Sequence, residues 1–247
     1  MFCHGAPMWS FLYRHIVVGL RNRFRCVALD YPGFGLSVRP DDYGYTPKEH
    51  ARIVGELVDH LELSDMIVMG QDWGGPISMS MAASRADRVS GIVLGNTWFW
   101  KASGMLPFFG RLMSTGFMQR QIVQKNLFIE RLVPTGSATK LSDEVMEHYR
   151  AVQPTPEMRA GVAQFPQQIL ASAEWLDELE TQVKANLASK PVLLVWGMKD
   201  MAFRSKELTR MKGVFPDRVV VELPEAKHFI QEDAPEEIVA AIIDRFG

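Results

Sequence analysis

The feature that most constrains this chain is an apolar run followed by an aspartate between two closely spaced glycines. The run 66–70 has the composition of a buried parallel strand, and small and apolar residues typical of a buried helix begin at Gly75. Between them, Gly70-x-Asp72-x-Gly74 has the spacing of a nucleophile elbow. So sharp a turn leaves no room for a Cβ two residues before or two residues after the exposed side chain. The pattern predicts that Asp72 stands above the carboxyl edge of a parallel sheet.

An aspartate at this position favours displacement at a saturated carbon over attack on an acyl group. A serine that attacked a saturated carbon would leave an ether, which water cannot open. A carboxylate leaves an ester instead, and water can hydrolyse that ester at its carbonyl. The leaving group would be a halide or an epoxide oxygen. Because an aspartate before a helix is also a favoured N-cap, partner residues have to decide the function.

Composition bounds the class of protein. The 247 residues are 47% hydrophobic, which is enough for one large core with an inserted subdomain. A net charge of −2 argues against nucleic acid or a membrane surface as a partner, and no apolar run reaches the roughly 18 residues that span a bilayer. The two cysteines, Cys3 and Cys26, suit free thiols in a reducing compartment. We expect a cytoplasmic enzyme that needs neither a metal nor a cofactor.

Alternating strand and helix patterns predict a mostly parallel α/β sheet with helices on both faces. One helix should begin at the capping-box pattern 46–49. Between 98 and 166 the alternation stops and Met and Phe residues are frequent, which suits the wall of an apolar pocket. We therefore interpret 98–166 as a helical cap and 1–97 with 167–247 as the core; a helical subdomain with its own core is the alternative. The strand-like runs are 1–3, 25–30, 66–70, 89–94, 191–196 and 218–223.

Three polar residues follow predicted parallel strands and should meet at the carboxyl edge of the sheet, where such sheets bind ligands. These candidates are Asp72, Asp200 and His228. His228 would activate the water that opens the ester, while Asp200 would hold the tautomer of the imidazole and stabilise the imidazolium. Ester hydrolysis also needs an oxyanion hole, for which we expect the backbone N–H groups of Trp73 and Ala6.

Together these motifs resemble the haloalkane dehalogenases of the α/β-hydrolase superfamily. The chain order nucleophile, acid, histidine is the order of that superfamily. The resemblance covers nearly the whole chain and implies an α/β-hydrolase fold with an inserted helical cap, in which the first strands are missing. The matching stretches are His-Gly-x-Pro at 4–7, Asp-Tyr-x-Gly-Phe-Gly-x-Ser at 30–37, Gly-Gln-Asp-Trp-Gly-Gly at 70–75, Gly-x-x-Asp at 197–200 and His-Phe-Ile-Gln-Glu at 228–232.

The resemblance also implies a mechanism. Asp72 displaces the halide from a small apolar halogenated substrate and forms an alkyl-enzyme ester. Water activated by His228, with Asp200 as the acid of the triad, then releases the alcohol. The indole N–H of Trp73 binds the leaving halide ion. Asn96, where other members carry a glutamate, resembles the subfamilies that use an Asp-His-Asp triad.

Two departures from the family pattern lead to further expectations. Members often have an asparagine as second halide donor where this chain has Ala6, so we expect slow dehalogenation. Trp98 or Trp100 could replace that donor, although we expect both to pack under the cap. The chain also starts at Met1, beside the catalytic turn. This start would leave 25–30 as an unpaired sheet edge, and we expect self-association into a homo-oligomer there.

Three alternatives stay open at the level of sequence. An epoxide hydrolase shares the aspartate elbow and the histidine but protonates the epoxide oxygen with cap tyrosines, and here 98–166 contains only Tyr149. A haloacid dehalogenase would need arginines near the elbow to bind a carboxylate, and the first arginine after Asp72 is Arg85. A weakly active or inactive binding or assembly protein is the third, because a fold alone does not establish a function.

Overall fold

Five strands form one parallel sheet, as the alternating patterns predict. The computed structural model describes all residues 1–247. The strands are β1 (Phe2–Cys3), β2 (Met66–Asp72), β3 (Val89–Thr97), β4 (Val192–Gly197) and β5 (Arg218–Leu223). They lie in the order β1-β2-β3-β4-β5, and each neighbouring pair is parallel. The carboxyl ends of all five strands therefore point to the same edge of the sheet.

Helices connect the strands and cover both faces. Before β3 they are α1 (Arg14–Leu20, preceded by a 3₁₀ turn at Ser10–Tyr13), α2 (Pro47–His60) and α3 (Gly74–Ala83). Between β3 and β4 they are α4 (Met105–Met113), α5 (Gly116–Lys125), α6 (Val133–Gly136, preceded by a π turn at Phe128–Leu132), α7 (Asp143–Ala151), α8 (Ala160–Ala171) and α9 (Ala173–Asn186). The last are α10 (Ser205–Val214), α11 (Ile230–Asp233) and α12 (Pro235–Phe246). None of these helices is long and apolar enough to cross a membrane.

Two hydrophobic cores sandwich the sheet, because successive residues of a strand point to opposite faces. On one face, Val68 of β2 and Ile92 of β3 belong to the larger core, which includes side chains of α2, α3 and α9. On the other face, the next residues along each strand, Met69 and Val93, pack with side chains of α1 and α12. Burial on both faces explains why these strands are continuously apolar rather than alternating.

The prediction of a strand over 25–30 is wrong, except that one residue of this segment forms a bridge to the sheet. Ala28 forms a single parallel bridge to Phe2, and the N–H of Phe2 donates to the carbonyl oxygen of Val27 at 2.8 Å. The neighbouring strand β1 has only two residues, so a longer ladder has no partner at this edge. The self-association expected here stays a prediction, which light scattering coupled to gel filtration tests.

Only helices and turns lie between β3 and β4, as expected for the segment that we interpret as a cap. The division into core (1–97 and 167–247) and cap (98–166) stays a prediction, and α8 runs across its second boundary. Phe165 of α8 lies against the indole of Trp73, with ring centroids 5.4 Å apart. The helical segment therefore covers the elbow at the carboxyl edge of the sheet.

Candidate active site

The elbow aspartate lies where β2 turns sharply into α3. The strand is two residues longer, and the helix begins one residue earlier, than the sequence pattern predicts. Asp72 has a φ of 52°, a left-handed conformation that costs a residue with a Cβ about 1 kcal/mol or more. A Cβ at Gly70 would overlap the backbone of Gly74, and a Cβ at Gly74 would overlap the carbonyl oxygen of Cys3. Close approach of backbone to backbone is thus the reason for both glycines.

A backbone N–H group holds one carboxylate oxygen of Asp72. Its Oδ1 accepts a hydrogen bond from the N–H of Ala6 at 3.0 Å. Burial raises the pKa of Asp72 above its ordinary value, although the charge of His228 and the N–H groups of Trp73 and Ala6 oppose this shift. The structure therefore brings both predicted oxyanion-hole groups to the elbow, on a carboxylate whose charge is only partly compensated.

His228 lies between the two predicted carboxylates. Its Nδ1 is 2.9 Å from Oδ2 of Asp200, and its Nε2 is 3.7 Å from Oδ2 of Asp72. A carboxylate accepts, so Nδ1 carries the proton in the neutral ring and Nε2 is left as the basic nitrogen. Burial lowers the pKa of His228, but the charges of Asp200 and Asp72 outweigh it and raise the pKa above its ordinary value. All three predicted residues are thus brought together at the ends of β2, β4 and β5.

Two polar residues at the end of β3 support this arrangement. The side chain of Asn96 donates to the carbonyl oxygen of Gly197 at 3.0 Å and accepts from its N–H at 2.7 Å. The hydroxyl of Thr97 donates to the backbone carbonyl oxygen of Asp72 at 2.5 Å. The sequence indicated neither contact; polar residues at the end of a buried strand were the only signal. They connect β3 to the elbow and to the loop that carries Asp200.

Gln71 is absent from the residues predicted from sequence, yet it contacts His228 directly. Its side chain is fully buried. The side-chain nitrogen of Gln71 lies 3.1 Å from Nε2 of His228 and donates to the backbone carbonyl oxygen of His228 at 3.0 Å. The available signal was its place directly before Asp72, but the pattern along one strand carries no information about a partner 157 residues away.

Aromatic side chains surround the indole of Trp73. Trp98 packs edge-on against it, with ring centroids 4.7 Å apart. Trp98 is fully buried and its indole nitrogen has no acceptor within the protein. Trp100 packs elsewhere, beneath the guanidinium of Arg210 at 4.4 Å from its carbon to the ring centroid. Of the two tryptophans singled out from the sequence, only Trp98 therefore lies beside the elbow.

An epoxide hydrolase would need a cap tyrosine and a haloacid dehalogenase an arginine near the elbow, and here both side chains form contacts elsewhere. Tyr149 is fully buried and donates its hydroxyl to Glu232. Glu232 in turn forms an ion pair with Arg14 at 2.6 Å. Arg85 pairs with Asp59 at 2.6 Å. These contacts disfavour both an epoxide hydrolase with a cap tyrosine as acid and a haloacid dehalogenase with an arginine clamp.

Known proteins are similar to this chain in fold and in sequence. The family model of the alpha/beta hydrolase fold matches residues 1–235. Haloalkane dehalogenase 2 of Mycobacterium tuberculosis (strain H37Rv) is 59% identical over 249 residues, which cover 100% of this chain and 87% of that protein. The cis-3-alkyl-4-alkyloxetan-2-one decarboxylase of Xanthomonas campestris pv. campestris is 30% identical and covers 97% of this chain and 85% of its own length. The crystal structure of the haloalkane dehalogenase DbeA from Bradyrhizobium elkani superposes with a TM-score of 0.88 at 26% identity, covering 98% and 87% of the two chains.

The sheet, the elbow and the family model together define an α/β-hydrolase. Within that class, the chain belongs to the haloalkane dehalogenase family.

Proposed function

We propose that this protein hydrolyses small apolar haloalkanes to an alcohol and a halide ion through an alkyl-enzyme ester on Asp72. The observation that carries the proposal is the pair of contacts made by the two carboxylate oxygens of Asp72. One oxygen is held by the N–H of Ala6, and the other lies 3.7 Å from the basic nitrogen of His228. The 59% identity to haloalkane dehalogenase 2 supports this choice over the rival chemistries. The reaction needs only these groups and water, so we propose no metal or cofactor.

In the first step, Oδ2 of Asp72 attacks the carbon that bears the halogen. Oδ1 is engaged by the N–H of Ala6, so Oδ2 is the oxygen free to attack. The new C–O bond forms as the C–halogen bond breaks, and the indole N–H of Trp73 stabilises the leaving halide. Forming the ester removes a buried negative charge, whose burial already raises the pKa of Asp72. Loss of that charge favours the intermediate.

In the second step, water attacks the carbonyl carbon of the ester. Nε2 of His228 takes a proton from the water, and Asp200, which holds Nδ1 at 2.9 Å, stabilises the imidazolium. The oxygen that becomes negative is Oδ1, where the N–H groups of Ala6 and Trp73 form the oxyanion hole. Esterification has by then neutralised Asp72, one of the two carboxylates that raise the pKa of His228. The pKa of His228 therefore falls once the ester exists, so Nε2 is more often unprotonated and able to accept a proton from the water.

We also propose that the protein works in the cytoplasm. Cys3 and Cys26 are both free, which supports a reducing compartment such as the cytoplasm.

Isotope labelling tests the two-step reaction. In ¹⁸O-water, under single-turnover conditions with 1-bromobutane, the first alcohol released should contain unlabelled oxygen from Asp72. The label should appear on the peptide that contains Asp72. Direct attack of water on the haloalkane would instead label the alcohol, and that result would contradict the covalent intermediate.

A panel of substrates tests the reaction class. We expect bromide release from 1-bromobutane and 1,2-dibromoethane. A cis-3-alkyl-4-alkyloxetan-2-one belongs in the panel, because the decarboxylase relative is named for it and Ala6 offers a halide no side-chain donor. Turnover of the oxetanone without bromide release from either bromoalkane would overturn the dehalogenase assignment.

Ala6→Asn is expected to speed up bromide release. The variant keeps the backbone N–H that binds Asp72 and adds a side-chain donor towards the leaving halide. One donor to a developing anion contributes about 10²-fold to the rate, and we expect roughly a tenfold gain because the added side chain is not preorganised. Initial rates with 1-bromobutane measure the effect, and Ala6→Leu, of similar size without a donor, is the control. An unchanged rate in Ala6→Asn would show that this account of halide binding is wrong.

Gly5→Ala is expected to reduce bromide release by about 10²-fold or more, since small displacements of reacting groups have effects of this size. A Cβ at Gly5 would lie 2.5 Å from both Cβ and Oδ1 of Asp72, so the nucleophile must move. Gly116→Ala is the matched control, because a Cβ there meets nothing within 4 Å. Melting temperatures of both variants separate displacement of the nucleophile from unfolding. A rate for Gly5→Ala within twofold of the unaltered protein would argue against a rigid fit between this turn and Asp72.

A further inference from the structure

We propose that Gln71 is a positioning residue that keeps Nε2 of His228 free of a proton between turnovers and ready to accept one from the hydrolytic water. This inference rests on the proposed function, since it concerns the second step of that reaction. Neither step described above uses the Gln71 amide, although it is fully buried beside the nucleophile.

Only the nitrogen of the Gln71 amide makes polar contacts. The side-chain nitrogen of Gln71 approaches Nε2 of His228 at 3.1 Å and the carbonyl oxygen of the same residue at 3.0 Å. An amide nitrogen carries two hydrogens, so one nitrogen can serve both acceptors. The oxygen of the Gln71 amide has no hydrogen-bond partner in the protein. All polar contacts of this side chain are therefore made by its donor end and directed at His228.

The carbonyl oxygen of His228 determines which way the amide faces. A carbonyl oxygen only accepts, so turning the amide over would place two oxygens against each other. Gln71 thus presents N–H to the ring and cannot present its oxygen. An N–H can pair with Nε2 only while that nitrogen has its lone pair, because a protonated Nε2 would face a second donor. The geometry therefore favours the proton-free form of Nε2.

The charged groups that face the ring act in the opposite sense. Asp200 lies at Nδ1 and Asp72 lies on the Nε2 side, and both favour the imidazolium. If no hydrogen-bond donor opposed these two carboxylates, Nε2 would be protonated and unable to accept a proton from water. Gln71 is the neutral donor that opposes them at the one nitrogen where the proton has to be absent.

The role of Gln71 fits the proton balance of the second step. Water gives a proton to Nε2 of His228 as its oxygen bonds to the ester carbon. When the tetrahedral intermediate collapses, the C–O bond to the alkoxide breaks, and the alkoxide takes the proton from Nε2 to leave as alcohol. Collapse leaves Asp72 as a carboxylic acid that carries the second proton of the water, and loss of that proton to solvent by way of Nε2 of His228 regenerates the carboxylate. While the water donates to Nε2, the amide of Gln71 keeps its hydrogen bond to the carbonyl oxygen of His228 and stays beside the ring.

The pH dependence of ester hydrolysis in Gln71→Met tests the proposal. Methionine has a similar length but no donor. Rapid-quench experiments with 1,2-dibromoethane resolve the formation of the alkyl-enzyme from its hydrolysis. We expect the acid limb of the hydrolysis step to move up by about one pH unit, the size of effect expected for one lost hydrogen bond. Hydrolysis should then be about tenfold slower below the limb, with no change on the alkaline plateau.

Gln231→Met is the matched control. Gln231 is also fully buried and lies three residues after His228, but its amide makes no hydrogen bond to His228. We expect the acid limb of ester hydrolysis in Gln231→Met to lie at the same pH as in the unaltered protein. If Gln71→Met does not fold, Gln71→Glu carries the test, because it keeps the shape and replaces the donor by an acceptor. The limb of Gln71→Glu should move up further than one unit.

The outcomes separate the two proposals. If the unaltered protein forms and hydrolyses an alkyl-enzyme and a folded Gln71 variant shows the same acid limb, the role of Gln71 is overturned and the dehalogenase proposal stands. A shift of equal size in Gln231→Met would also overturn it, since any lost buried amide would then suffice. If the unaltered protein forms no alkyl-enzyme, the proposed function itself fails.

Discussion

Asp72→Asn is expected to lower the rate of bromide release by at least about 10⁴-fold, because the reaction loses the oxygen that forms the ester. The amide keeps the shape of the side chain, and its oxygen can still accept from the N–H of Ala6, as Oδ1 does now at 3.0 Å. Initial rates with 1-bromobutane measure the loss. Intact mass should be recorded in parallel, since deamidation of the asparagine would restore the aspartate. A fully amidated variant that keeps its rate would exclude Asp72 as the nucleophile.

The same variant should be more stable than the unaltered protein, which makes it a control for folding. Asp72 combines a left-handed backbone with a carboxylate whose pKa burial raises. Asparagine tolerates that backbone and carries no charge, so we expect a gain of about 1 kcal/mol in the free energy of unfolding. Chemical denaturation near neutral pH measures it. Lower stability of Asp72→Asn would show that the site is not strained.

The gain in stability should depend on pH in a defined direction. The pKa of Asp72 is higher in the folded than in the unfolded protein, so the folded state binds the proton more tightly. The buried charge of Asp72 destabilises the protein fully at a pH above the pKa that Asp72 has in the folded state. This effect disappears as the pH falls below its pKa in the unfolded state, which is about 4. The stability difference between Asp72→Asn and the unaltered protein should therefore shrink in acid.

His228→Ala is expected to stop the reaction after the first step. Displacement of the halide by Asp72 does not need the imidazole, whereas hydrolysis of the ester does. We expect a burst of about one bromide for each active site, followed by steady turnover reduced by roughly 10⁴-fold or more. Mass spectrometry should find one butyl group on the peptide that contains Asp72 after incubation with 1-bromobutane.

The double variant Asp72→Asn with His228→Ala is the control for trapping, because it should show neither burst nor adduct. A binding or assembly protein of the same fold would likewise show neither in the single variant His228→Ala. Absence of the adduct from His228→Ala, in protein that melts cooperatively, would therefore refute covalent catalysis at Asp72.

Local rules account for the parts of the fold and site that the sequence predicts well. The elbow is determined by backbone crowding, which only glycine at 70 and 74 relieves. α2 begins where its capping box lies, with the side chain of Thr46 accepting from the N–H of Glu49 at 3.2 Å. Asp200 and His228 could be placed because polar residues that follow parallel strands lie at the same edge of the sheet. That reasoning needs the order of the elements and no knowledge of their packing.

The strand predicted over 25–30 shows where local rules end. Its residues have strand-like composition, yet a ladder forms only where a neighbour is present, and β1 offers two residues. The contacts of Asn96 with Gly197 and of Gln71 with His228 likewise join residues about 100 to 160 positions apart. The periodicity of residues within one segment cannot predict contacts between such distant residues.

By itself, the sequence predicted a parallel α/β sheet, an aspartate at its edge as the candidate nucleophile, and a candidate acid and histidine that face it. These follow from glycine spacing, strand composition and the order of the elements, which are properties of short stretches of chain. Only the tertiary structure decided which oxygen of Asp72 is held, that Trp98 rather than Trp100 lies against Trp73, and that the Gln71 amide points its donor at His228. Those features depend on the distances and orientations of side chains from separate elements, which arise only when the cores on both faces of the sheet pack together.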